Sequence, residues 1–247
     1  MVSVGQEMNR LLRSGLWVGF AASMEIMLVL VFTDQLVWSK VIASGTITVL
    51  AYRYVQNTFR NDVLDKCLLI ILCFSLSLLN LQILLWWIPL LVIVFLYKNA
   101  FLGLNMRRTG SVKSMVISFS WLLLIGACLD FSQLNIHIII ILLSEFFMFL
   151  SLTAVNDLFL DVGEESPWKS KLMMRCWMIC FALLSALLFL SVGNFQLSLL
   201  ICAVAPLALT LSLWRRQYPR TLMPFLWVDG CIILRGFLVF ISLRSQI

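Results

Sequence analysis

Apolar positions come in long runs separated by short polar breaks, from about residue 14 to residue 243. Each run is close to the ~20 residues a helix needs to cross a hydrocarbon layer. The runs 14–33, 41–56, 114–130, 135–156, 173–192, 197–214 and 222–243 each predict one helix. The stretch 67–97 is too long for a single span, and Asn80 and Gln82 mark a polar turn that divides it into two. The pattern therefore predicts nine helices. A polar arm, residues 1–13, precedes the first run. That run is too long for a removed signal peptide and lacks a small-residue cleavage site, so a span is expected there.

Composition decides the class. Of 247 residues, 62% are apolar and 12% charged. A soluble domain carries about twice that share of charge, near 25%. The expected fold is all-α: a polytopic membrane bundle of about nine transmembrane helices, forming a single domain over residues 1–247. The expected location is the inner, cytoplasmic membrane of a bacterium.

Charge then orients the bundle. With the N-terminus in the cytoplasm, the inner segments hold fifteen of the eighteen lysines and arginines, from Arg10 and Arg13 to Arg215, Arg216 and Arg220. The outer segments hold only Lys40 and Arg244, and Arg235 lies within the last span. Positive residues concentrate on the cytoplasmic side of membrane proteins, so the bias supports nine spans with the N-terminus inside. The net charge of +6 follows from this bias and does not call for a nucleic-acid partner.

The seven cysteines lie within or at the edge of apolar runs and read as packing residues. His137 is the only histidine, which excludes a zinc site built on several histidines and disfavours a Ser-His-Asp arrangement.

The chemistry-bearing stretches lie at two helix ends. Asn156-Asp157-Leu158-Phe159-Leu160-Asp161-Val162-Gly163-Glu164-Glu165 holds four of the twelve acidic residues. If the sixth helix continues through it, Asp157, Asp161 and Glu164 or Glu165 recur at i, i+4 and i+7 or i+8, on one face. Carboxylates so placed repel unless a cation lies between them, and oxygen ligands favour a hard ion such as magnesium. A solvated acidic loop between spans is the alternative. After the second span, Asn57, Asn61 and Asp65 are spaced i, i+4, i+8 and would also share a face. Both ends are expected on the cytoplasmic side, where they could face one cavity with basic side chains alongside. Magnesium held by carboxylates beside lysine and arginine is a common diphosphate site.

These residues resemble the UbiA-type superfamily of intramembrane prenyltransferases, which carries one Asp-rich motif after its second helix and another after its sixth. Asn61-Asp62-Val63-Leu64-Asp65 matches the core of the first motif. Asn156-Asp157 through Glu165 is similar to the second, including Gly163. Tyr97, Arg107-Arg108 and Gly110-Ser111-Val112-Lys113 look like the family's basic loop between helices four and five. There are departures. Leu69 stands where another aspartate belongs, and the polar loop after the first motif is nearly absent. An alternative alignment puts the motif asparagine at Asn57. The gap from Asp157 to Asp161 is one residue longer than the common form, and Glu165 replaces the last aspartate.

The resemblance implies magnesium-dependent transfer of a prenyl group from a prenyl diphosphate to a hydrophobic acceptor. It implies Asp62, Asp65, Asp157, Asp161 and Glu165 as metal ligands. Of these, Asp62, Asp65, Asp157 and Asp161 would be the catalytic carboxylates. Arg53, Lys113 and Lys171, with Asn57 and Asn61, would bind the substrate. Acceptor, chain length and oligomeric state are not legible in the sequence. Two non-enzymatic readings compete: an isoprenoid-binding homologue without transfer, and a small transporter with Glu25, Glu145 and Asp229 as its polar path. The absence of obvious inverted repeats weakens the transporter. Asp229-Gly230 does not continue as the Asp-Gly-x-x-Ala-Arg segment of phosphatidyltransferases.

Glu25, Glu145, Asp229 and Arg235 lie within spans, where facing lipid would be costly, so they are expected to face the bundle interior. Asp229 and Arg235, six apart on one helix, are expected to pair with each other, directly or through water.

Overall fold

The computed structural model describes residues 15–56, 62–78, 81–99, 110–130, 132, 135–160, 179–180, 182–187, 190 and 223–244. Regular structure among the described residues is helical, with no strand, so the fold is all-α. Seven helices follow in order: α1 Leu16–Phe32, α2 Trp38–Val55, α3 Val63–Ser77, α4 Leu81–Lys98, α5 Gly110–Cys128, α6 Ile136–Leu160 and α7 Met223–Arg244. Each begins and ends within a few residues of an apolar run. Residues 179–180 and 182–187, within the run 173–192, are helical too, while 197–214 lies outside the described residues.

The polar break expected near Asn80 falls between α3 and α4. The turn after α1 is a Schellman motif. The Gln35 N–H donates to the Leu30 carbonyl at 2.8 Å and the Asp34 N–H to the Val31 carbonyl at 3.2 Å. Asp34 takes the left-handed position, at φ 55°, usually held by glycine. Thr33 adds a bond from its hydroxyl to the Val29 carbonyl at 2.9 Å.

This tight turn sends α2 back along α1. The two approach at backbone distance: a methyl group on Gly19 would lie 2.7 Å from the Gly45 carbonyl oxygen, and one on Gly45 2.9 Å from the Gly19 oxygen. Only hydrogen fits at either position. α7 meets α1 as closely, since a methyl on Gly236 would fall 2.7 Å from the Met24 carbonyl oxygen. Among the described helices α1 is thereby packed on α2, α5 and α7, with Ile26 and Leu28 wholly buried. α5 and α6 form a second antiparallel pair, held by the Trp121 ring stacked on Phe149 at 4.6 Å and by Ser118 against Thr153 at 3.4 Å.

Helix directions follow from these pairs. Gln35, just past α1, accepts a bond from the backbone N–H of Asp130, just past α5, at 2.7 Å. So α1 and α5 finish at one end, and α2 and α6 start there. α2 and α6 therefore both finish at the opposite end. α3 begins at that end, and α4 finishes there, with Lys98 Nζ 3.6 Å from the centre of the Tyr54 ring.

Polarity is distributed inside out. Glu25, Glu145, Asp229 and Arg235 are all buried, as their cost in apolar surroundings predicts, while Phe74, Ile88, Phe119, Ile136 and Phe237 are exposed. Among the described residues one segment, Ile136–Thr153, is long and apolar enough to cross a membrane by length and composition. The apolar helices Leu16–Phe32, Trp87–Lys98 and Met115–Cys128 are shorter.

Candidate functional site

The first carboxylate pair sits where α2 ends and α3 begins. Asp62 is the N-cap of α3: its backbone is extended and its Oδ1 accepts the Asp65 N–H at 2.9 Å. A cap of this type is worth roughly 0.5–2 kcal/mol. Asp65 lies in the first turn, where the helix dipole favours a negative charge. Arg53 lies in the last turn of α2, where the dipole favours a positive one. Its Nε donates to Asp65 Oδ1 at 2.6 Å and its Nη2 to Asp62 Oδ2 at 3.0 Å. Asp65 is fully buried, whereas the Asp62 side chain is 48% exposed. Two residues assigned to a metal and one assigned to a diphosphate are thus bonded to each other.

An apolar groove runs from this corner between α2, α3 and α4. Its volume is about 570 Å³, within the ~300–1,000 Å³ of small-molecule sites. Ile47, Tyr54, Leu69, Leu72, Trp87 and Phe95 are among its walls. Asp65, Leu69, Leu72 and Leu76 fall at i, i+4, i+7 and i+11, one face of α3. The carboxylate and the groove wall therefore belong to the same helix face. Leu69, which departs from the expected motif, is part of that wall. At the Tyr54 end the groove meets Lys98, whose ammonium stands over the ring. Lys98, next to Tyr97 at the start of the basic loop, belongs to no motif in the sequence. Its place beside Tyr54 depends on two helices 44 residues apart meeting, for which no local pattern speaks.

The second motif enters at the same end of the bundle. α6 continues through Asn156 and Asp157 to Leu160, so Asp157 stands in its last turn. The Asp157 side chain lies outside what is described, as do Asp161, Glu165 and Lys171. So do Asn57 and Asn61, and the side chain of Lys113 in the first turn of α5. Among the described residues no group of three or more His, Cys, Asp or Glu is placed to hold a metal. As arranged, Asp62 and Asp65 do not fit a magnesium ion. Such an ion demands near-octahedral oxygen ligands at ~2.0–2.1 Å, and here a guanidinium stands between the two carboxylates.

The interior charges form a second cluster. Arg235 donates through Nη2 to Glu145 Oε1 at 2.7 Å and through Nη1 to Glu145 Oε2 at 2.9 Å. The same Nη1 lies 3.3 and 3.4 Å from the two oxygens of Glu25 and touches the Met148 sulfur. The expected Asp229–Arg235 pair is corrected. Arg235 turns to α1 and α6, and Asp229 Oδ2 is buried without a hydrogen-bond partner among the described residues. A fork that reaches two carboxylates at once outcompetes one on its own helix six residues away. The cluster ties α1, α6 and α7 together.

No protein-family model, curated protein or solved structure matches this chain.

Proposed function

We propose that the chain is a multi-pass membrane protein of about nine spans, its N-terminus cytoplasmic, that moves a prenyl group from a prenyl diphosphate to a hydrophobic acceptor. The observation that carries this reading is the apolar groove lined by Tyr54, over whose ring Lys98 stands, at the same end where α2 and α6 finish. A prenyl chain suits the groove walls, and a diphosphate suits the cationic end. The inside-out distribution of charge supports the membrane, since ionisable groups in a membrane face the protein interior. A bacterial inner membrane agrees with the charge bias of the loops.

Lys98, Lys113 and Lys171 are the cations for the leaving diphosphate, whose charge grows as the carbon–oxygen bond breaks. Asp157, Asp161 and Glu165 are the carboxylates for magnesium, which would neutralise that charge when bound. The groove excludes water from the reacting carbon.

A specific observation favours a second reading, an isoprenoid-binding protein without transfer. Arg53 already neutralises both carboxylates of the first motif. One experiment separates the two. Purified protein in detergent is given a panel of prenyl diphosphates and hydrophobic hydroxyl- or ring-bearing acceptors, with and without magnesium, and both binding and diphosphate release are measured. Transfer predicts magnesium-dependent release, whereas binding alone predicts saturation without release. Leu72→Trp should fill the groove and weaken binding by at least about ten-fold, or ~1.4 kcal/mol. Absence of saturable binding to the parent sinks both readings.

A further inference from the structure

The corner between α2 and α3 has the parts of a cation site and already contains a cation. Two different nitrogens of Arg53 reach two different carboxylates, at 2.6 and 3.0 Å. A guanidinium is planar and always charged, so it bridges the pair as a fixed fork. Asp65 is wholly buried, and a buried carboxylate that stays charged requires a partner cation. The other oxygen of Asp62 is engaged by the Asp65 N–H. One turn on, Leu69 lines the groove and supplies no oxygen, so the pair and water are all that could ligate an ion here.

We propose that Arg53 is the resident cation of this carboxylate pair. It stands where a divalent ion would sit, so Asp62 and Asp65 bind no magnesium in the native protein. Removing Arg53 turns the same pair into a divalent-cation site. The idea rests on the prenyl-diphosphate reading only for what these carboxylates were expected to hold. It is therefore tested on protein that has seen no diphosphate, and either idea can fail without the other.

The probe is Mn²⁺, counted per chain by electron paramagnetic resonance and followed by its effect on thermal unfolding in detergent. For the parent, Asp62→Asn should leave the number of bound ions and their affinity unchanged. Arg53→Gln should bind one more Mn²⁺ than the parent. At ~100-fold excess over its dissociation constant, the ion should raise the melting temperature of Arg53→Gln by roughly 5–11 °C more than that of the parent. The double variant Arg53→Gln/Asp65→Asn, with the buried charge also gone, should fold without metal and gain no ion. If Arg53→Gln can be isolated only with Mn²⁺ present, that rescue is the expected effect in its strongest form. Two results overturn the proposal. One is an ion on the parent that Asp62→Asn weakens ten-fold or more. The other is an Arg53→Gln protein that neither binds an extra Mn²⁺ nor is rescued by it while the double variant folds.

Discussion

Replacing Arg235 with Met removes one positive charge from between two carboxylates and keeps most of the side-chain volume. Glu25 and Glu145 are both 0% exposed and Arg235 only 3% exposed, so water cannot step in. Breaking a buried pair by deleting one partner costs about 3–5 kcal/mol, because the other charge is left uncompensated. For a chain of this size 1 kcal/mol corresponds to ~2–4 °C, so Arg235→Met should lower the melting temperature by about 6–20 °C. The geometry also ranks the two glutamates. Glu145 receives two bonds of 2.7 and 2.9 Å, whereas Glu25 lies 3.3 and 3.4 Å from a single nitrogen. One guanidinium serves two carboxylates, so neutralising the loosely held one improves the charge balance. Glu25→Gln should therefore change stability by less than about 1 kcal/mol, while Glu145→Gln should cost roughly 3 kcal/mol. Intrinsic tryptophan fluorescence during heating in detergent gives all three values in one assay. A Glu25→Gln loss equal to that of Glu145→Gln would refute the ranking. An Arg235→Met protein as stable as the parent would refute the cluster as a structural tie.

Gly45→Ala should push α1 and α2 apart, since its methyl would stand 2.9 Å from the Gly19 carbonyl oxygen; a loss of about 1–3 kcal/mol is expected by the same thermal assay, and an unchanged melting temperature contradicts the close approach. Asp130, in the loop after α5, accepts the Ser132 N–H at 3.0 Å, and that bond holds its carboxyl below the usual aspartate range. The charged form is the one stabilised, so its contribution is present above the ordinary value of ~3.9 and is lost as pH falls through the lowered one. The melting-temperature difference between parent and Asp130→Asn should be constant near neutrality and vanish in acid, and a difference that grows in acid runs against this. In a background without native cysteines, Lys66→Cys and Lys169→Cys should both resist an impermeant maleimide in intact cells and react after lysis; labelling of only one from outside would separate the two motifs across the membrane.

The described helices were readable because an apolar run tends to become one element, and the single ambiguous run divides near Asn80, with Gln82 falling inside α4. The interior position of Glu25, Glu145, Asp229 and Arg235 was readable for the same reason: a charge in an apolar run has few places to go. Their partners were not. Spacing on one helix suggested Asp229 for Arg235, but the side chain reaches residues 90 and 210 positions away, and helix periodicity carries no information across such distances. At the first motif, the family resemblance assigned the acids to a metal and the arginine to a diphosphate. The assignment missed that Arg53 at the end of α2 and Asp65 at the start of α3, 12 residues on, meet. The groove was hidden too, although Leu69, noticed as a flaw in a motif, was the residue that marked it.

The Glu25–Arg235–Glu145 cluster bears on how the chain is assembled. Of the three, Glu25 is made first, Glu145 next and Arg235 last. Until α7 is synthesised, the two earlier glutamates have no Arg235 to receive them, and their helices cannot settle in the final arrangement without burying bare charge. Helix α7 thus acts as a checkpoint. A ribosome that stalls before Met223 releases a product whose α1 and α6 still seek a cation, and such a product is an open target for proteases. Closure of the bundle is in this way tied to the synthesis of α7.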